Sequence, residues 1–171
     1  MRIKKDNSMS IEQSKDNNLE RDVSQEQKMG SDQEYETYSE QETFELGYEF
    51  AKGLKPGDSI SLEGDLGTGK TAFTKGIAAG LGVTQHITSP TFTLVNTYNG
   101  EKILHHFDVY RVNDPDELFA IGWEEYFSYE AVTVVEWGDL VPDILPENTI
   151  HIRFSRLDGS SYEGRRIIIE R

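Results

Sequence analysis

The residues of this 171-residue chain with the clearest chemical purpose are Gly64-Asp65-Leu66-Gly67-Thr68-Gly69-Lys70-Thr71. They fit G-x-x-x-x-G-K-[ST], a loop that cradles nucleotide phosphates. Glycines open backbone conformations closed to other residues, so successive N–H groups converge on an anion, and the N-terminus of a following helix adds its free amides and positive dipole end. In this pattern Lys70 reaches the β- and γ-phosphates and the Thr71 hydroxyl ligates Mg²⁺. The chemistry needs a second carboxylate at the C-terminal end of a neighbouring strand, on the metal directly or through water. Asp108 and Glu136 both qualify. Periodicity does not rank them, and either one alone reads equally as a solvated strand-end acid. Thr91, in Ser89-Pro90-Thr91, sits where a switch loop would reach Mg²⁺ and the γ-phosphate, although Ser and Thr beside Pro are common turn formers. His105 and His106 are adjacent, so on a strand they face opposite ways and do not share a metal; one of them reads as a packed or hydrogen-bonded histidine. Trp137, a lone aromatic after Glu136, reads first as core. Arg111 is the only arginine between the loop and Arg153, and the acids around it are its ordinary partners.

The elements that must hold these groups can be read from pattern. Asp58 to Glu63 alternates as a strand with Ile60 and Leu62 on one face, and Lys70 to Leu81 reads as a helix closed by Gly80 and Gly82. Upstream, Ser39-Glu40-Gln41-Glu42 has the form of a capping box, opening a helix to about Lys52 that buries Phe44, Leu46, Phe50 and Ala51. Downstream, Thr88 to Val95 opens a strand, Asn99-Gly100 marks a hairpin turn, and Lys102 to Asp108 returns. A helical region runs from Pro115 to about Phe127. Ala131 to Val135 is a continuous apolar run, as in a strand buried on both faces of a parallel sheet. Thr149 to Phe154 and Arg165 to Glu170 alternate as strands joined through Asp158-Gly159, a closing hairpin. The fold expected is α/β: a three-layer arrangement around the phosphate loop, with a mixed, mainly parallel sheet and a C-terminal β-hairpin.

Composition bounds the rest. The length suits one domain with a full core. Residues 1–36 are rich in Ser, Asn, Gln, Lys, Asp and Glu without sustained apolar period, and are expected to form a disordered extension before a domain at 37–171. Net charge is −14, which argues against unaided binding to DNA, RNA or an anionic membrane. There is no cysteine, which excludes disulfides and thiolate metal sites. No apolar run is long enough to span a bilayer and the N-terminus lacks the apolar core of a signal peptide, so the expected location is cytoplasmic.

Together, the blocks Leu62 to Thr71, Ser89-Pro90-Thr91-Phe92-Thr93-Leu94, His106-Phe107-Asp108-Val109-Tyr110-Arg111 and Val135-Glu136-Trp137 make the chain resemble the TsaE (YjeE) family of small bacterial ATPases, which serve in threonylcarbamoyl-adenosine modification of tRNA. The resemblance covers about Tyr38 to Phe154. It implies ATP and Mg²⁺ as ligands, and partners similar to TsaD and TsaB, with tRNA reached only through them. By the same resemblance, Leu66, Gly67, Thr68, Gly69, Lys70 and Thr71 hold the phosphates. Thr71 and Glu136 look like the Mg²⁺ and water-positioning pair, Asp108 is similar to the second essential acid, Thr91 belongs to a switch-like loop, and Ser39 falls near the adenine side. Three other readings compete. A small-molecule kinase usually closes an arginine-bearing lid, whereas the stretch from the loop to residue 152 offers only Arg111. A GTPase lacks its Asp-x-x-Gly and Asn-Lys-x-Asp signatures here. A non-hydrolysing nucleotide module leaves the pair Asp108 and Glu136 without a task. The scarcity of arginine near the loop in sequence further suggests a slow ATPase that partners accelerate.

Overall fold

A computed structural model of the chain describes residues 2–3, 32–157 and 164–171. Most of the expected extension and the Asp158-Gly159 turn lie outside these residues. In chain order the elements are β1 (Arg2–Ile3), β2 (Gln33–Thr37), α1 (Glu40–Ala51), β3 (Ser59–Glu63), α2 (Lys70–Gly80), β4 (Val95–Tyr98), β5 (Ile103–Asp108), α3 (Asp116–Phe119), β6 (Ala131–Glu136), β7 (Ile150–Arg156) and β8 (Arg165–Glu170). Short helical turns at Trp123–Phe127, Gly138–Leu140 and Pro142–Ile144 flank β6.

The strands form one sheet in the order β1-β2-β8-β7-β3-β6-β5-β4. Its four central strands, β7, β3, β6 and β5, are parallel neighbours, and β6 is buried along its whole length, as expected of an apolar run covered on both faces. The edges are antiparallel, β4 on β5 on one side and β1, β2, β8 and β7 on the other. The parallel centre sends β3, β5 and β6 to end at one edge of the sheet, the usual place for a ligand in an open α/β fold.

Side chains alternate along β6 between two cores. Val132 and Val134 join Leu46, Ile60, Phe73 and Ile77 beneath α1 and α2. Val135 joins Phe107, Leu118 and Trp123 beneath α3 and the helical turns. Helices α1 and α2 cross closely because each offers a glycine. A Cβ on Gly47 would overlap the Phe73 carbonyl oxygen, and one on Gly76 the Phe44 carbonyl oxygen. Phe44 and Phe50, expected in the core, are only half-buried, Phe50 packing against its margin, while Leu46 and Ala51 are buried.

Three expectations need correction. The strand expected from Thr88 is a loop as far as Leu94, because the Pro90 carbonyl accepts from both Thr93 N (3.0 Å) and Leu94 N (2.7 Å), turning the chain before β4 starts at Val95. The helical region expected from Pro115 to Phe127 is two pieces, separated at Gly122, whose φ of 79° leaves the helical basin. Strand β2 begins at Gln33, inside the stretch assigned to the extension; its residues are polar, and it is held by β8, with Tyr35 opposite Ile167 and packed on the core. Among the described residues no helix is long and apolar enough to cross a membrane.

Candidate functional site at the phosphate loop

Strand β3 ends at Glu63 and the chain enters the loop at Gly64. Gly67 (φ 74°) and Gly69 (φ 106°) take left-handed conformations that side-chain-bearing residues adopt only with strain. The loop closes on itself through Thr68, which is buried and donates its hydroxyl to the Asp65 carbonyl at 2.7 Å. Leu66 stands exposed at its tip. Helix α2 begins immediately at Lys70, so its unpaired N-terminal amides face the same space.

Eight of the expected residues, Leu66, Gly67, Gly69, Lys70, Thr71, Thr91, Asp108 and Glu136, line one cleft of about 510 Å³. The register of β5 on β6 pairs Asp108 with Glu136, so the two strand-end carboxylates stand side by side. Both are almost fully buried, at 4% and 2% exposure, and neither is the solvated acid that sequence alone allowed. Glu136 accepts from Thr71 Oγ1 at 3.0 Å, from Thr74 Oγ1 at 3.3 Å and pairs with His106 Nε2 at 2.9 Å. His106 is wholly buried and its Nδ1 has no hydrogen-bond partner. A bare ring nitrogen is less costly to bury than an unpaired N–H, so the neutral tautomer donating from Nε2 to Glu136 fits the site. Asp108 Oδ2 accepts from Ser89 Oγ (2.5 Å) and Thr91 Oγ1 (2.7 Å), and Oδ1 from Tyr110 N at 3.1 Å. The turn at Pro90 is what brings both hydroxyls onto this carboxylate.

Lys70 is 5% exposed. Its ammonium donates to the carbonyl oxygens of Gly64 and Asp65, the latter at 2.9 Å, and lies 3.6 Å from the centre of the Trp137 ring. Burial pushes its pKa down, opposed by the carboxylates of Glu136, Asp139, Asp108 and Asp65. Trp137 is half-buried, packing against the second core while it lines the cleft. It holds a left-handed backbone (φ 65°), and its ring also meets Tyr110 at 4.7 Å. Arg111 lines the cleft with its guanidinium 4.4 Å from the Phe92 ring centre. His105, on the opposite face from His106, contacts Thr97 Oγ1 (2.9 Å) and the Tyr126 ring, and burial lowers its pKa.

Ser39 and Thr68 are not among the residues lining the cleft. Ser39 caps α1, its hydroxyl accepting from Glu42 N at 3.1 Å; its neighbour Glu40 reaches the cleft instead. Sequence reasoning missed Arg165 in the cleft wall and His106 and Thr74 on Glu136. The adjacent histidines were visible, but their partners come from a different strand and helix.

The family model for threonylcarbamoyl adenosine biosynthesis protein TsaE matches residues 37–167. This chain belongs to the TsaE family. It is 44% identical over 130 residues to the tRNA threonylcarbamoyladenosine biosynthesis protein TsaE of Bacillus subtilis, covering 75% of this chain and 81% of that protein. It is 44% identical over 123 residues to the protein of the same name from Treponema pallidum, covering 71% and 91%. Among solved structures it is similar to Bacillus subtilis YdiB, with a TM-score of 0.67 and 37% identity over 81% of this chain and 84% of that one. The TsaE match spans the phosphate loop, both buried carboxylates and Arg165, so the residues that build the cleft all fall within the family region.

Proposed function

We propose that this TsaE-family chain binds ATP with Mg²⁺ in the phosphate-loop cleft, hydrolyses it, and thereby serves threonylcarbamoyladenosine modification of tRNA in the cytoplasm, within a complex of TsaD-like and TsaB-like partners. The observation that carries the reading is the contact of the Thr71 hydroxyl with Glu136 at the foot of the loop, with Asp108 alongside. These are hard oxygen donors, one hydroxyl and two carboxylates, as suits Mg²⁺ shared between protein and phosphate. When bound, the ion neutralises charge that develops on the phosphates.

The chain's own groups divide the remaining work. Amides of the glycine loop and of the α2 N-terminus hold the phosphates. Lys70 brings a cation that exchanges its bonds to two loop carbonyls for phosphate oxygens. Glu136, fixed by Thr71, Thr74 and His106, orients metal or water. Asp108, fixed by Ser89 and Thr91, couples the 88–94 loop to the site. The domain doing this runs from β2 to residue 171, and the residues before β2 act as an extension to it. The isolated protein turns over slowly and its partners accelerate it.

The test is ATP and GTP turnover by the full chain, alone and with increasing TsaD-like and TsaB-like partner, with candidate small-molecule phosphate acceptors included. Slow ATP hydrolysis alone, raised by partner and indifferent to acceptor, is expected. Acceptor-dependent turnover makes it a kinase, and tight binding without turnover under any condition makes it a regulator.

A further inference from the structure

The C-terminal hairpin brings two arginines to the phosphate loop. In the register of β7 on β8, Arg156 lies opposite Arg165. Directly opposed residues of an antiparallel pair project from the same face. That face is the one carrying Ile152, Phe154, Ile167 and Ile169, all buried beneath α1 and α2. The two apolar rows therefore run up to the loop and each ends on an arginine. A methyl group in place of the Gly69 hydrogen would sit 3.0 Å from Arg165 Nε and 3.1 Å from its Cδ. One at Gly67 would sit 3.3 Å from an Arg156 Nη. Arg165 lines the cleft beside Gly69, Lys70 and Thr71. Both guanidinium groups thus stand against the two left-handed glycines of the loop, which line the cleft.

We infer that Arg165, assisted by Arg156, is a ligand of the nucleotide's phosphate chain. The inference rests on the reading of the cleft as a nucleotide site. A guanidinium is planar, always charged, and presents paired N–H donors that match two phosphate oxygens. Arg165 reaches the loop from a strand outside the motif, on the sheet face that α1 and α2 cover, and so adds its donors beside the N-terminus of α2. Arg156 is exposed and contributes less.

The experiment measures affinity of the full chain for ADP, ATP and inorganic pyrophosphate by calorimetry, for wild type and for Arg165→Ala, Arg165→Lys, Arg156→Ala, Arg166→Ala and Lys70→Ala. Arg166 is the control, since it pairs with Glu34. Arg165→Ala should weaken ADP and pyrophosphate by about tenfold to a hundredfold, the worth of charged hydrogen bonds. Arg165→Lys keeps the charge without the fork and should lose at least about threefold. Arg156→Ala should lose less than Arg165→Ala, and Arg166→Ala should match wild type. If Arg165→Ala does not fold, Arg165→Lys carries the test. Wild-type affinity in the Arg165 variants, with binding lost in Lys70→Ala, overturns the inference and leaves the nucleotide site standing. A loss for ADP without one for pyrophosphate also overturns it, placing Arg165 on the nucleoside. Unchanged binding in Lys70→Ala overturns the nucleotide reading itself.

Discussion

Replacing Glu136 with Gln turns one carboxylate oxygen into an amide nitrogen, in surroundings built to donate to it. The carboxylate receives three donors, Thr71 on one oxygen and Thr74 and His106 on the other. A carboxamide satisfies this set best with its oxygen toward Thr74 and His106 and its nitrogen toward Thr71, whose hydroxyl can rotate to accept. The site keeps its shape. The charge-assisted part of the His106 bond is lost, about 1 kcal/mol, while the variant no longer buries an ionised group. The two terms oppose, so Glu136→Gln should melt within a few degrees of wild type. Hydrolysis should respond differently, because an amide neither attracts the metal nor orients a water as a base does. Loss of such a group costs about 10² to 10⁴ in rate, or about 3 to 5 kcal/mol of transition-state stabilisation. Single-turnover hydrolysis with enzyme in excess over ATP separates this from binding, which calorimetry should find within about threefold of wild type. A single-turnover rate equal to wild type would refute the reasoning: Glu136 would be structural, and Asp108 the sole candidate.

Lys70→Ala should abolish tight ATP binding, whereas Thr71→Ala should weaken only its Mg²⁺-dependent part; titrations with and without Mg²⁺ distinguish the two. His106→Ala leaves a cavity and strips a donor from a buried carboxylate, so urea unfolding should show a loss of about 2 to 4 kcal/mol. His105 supplies the pH test. Its folded pKa lies below the ordinary value of 6.5 because burial disfavours the charged ring. Its contribution is thus fully present above pH 6.5 and is lost as pH falls, since the unfolded chain takes the proton first. Urea midpoints at pH 7.5 and 5.5 should therefore differ less in His105→Gln than in wild type. A protein starting at Asp32 should melt and bind ATP as the full chain does, since it gives up only the two-residue pairing of β1 on β2 among the described contacts; a melting point lowered by several degrees contradicts this.

What the sequence showed was what local spacing encodes. The strand, loop and helix around Lys70 were legible because eight residues carry the motif and alternation changes to helical period across it. The Ser39 cap and the Asn99-Gly100 hairpin were legible for the same reason. The apolar run of β6 announced a central parallel strand. Strand β2 was not legible because its five residues are nearly all polar, and it is a strand only where Ile167 and Ile169 of β8 supply its partner. The pairing of Asp108 with Glu136 depends on a register between strands with α3 and a further helical turn between them, which no window contains. His106 and Arg165 act on the site across the sheet and across the hairpin, and their local surroundings carry no signal of it.

The fold brings more positive charge to the phosphate loop than the local sequence around it carries. Along the chain Arg111 stands alone near the loop, but in the fold it lines the cleft with its guanidinium on Phe92, and Arg165 arrives from the far end to line it too. A missing arginine is thus a weak reason for slow turnover. A stronger one lies in how the two acids are held. Glu136 is fixed by Thr71 and Thr74 of α2, a helix anchored by the fully buried Phe73 and Ile77. Moving it would disturb the main core. Asp108 is fixed by Ser89 and Thr91 on a loop whose next residue, Phe92, is 83% exposed. Local opening draws on such segments, where few apolar contacts must break. A partner that alters the rate therefore has most leverage on Asp108 through the 88–94 loop, leaving Glu136 and the phosphate loop as the rigid half of the site.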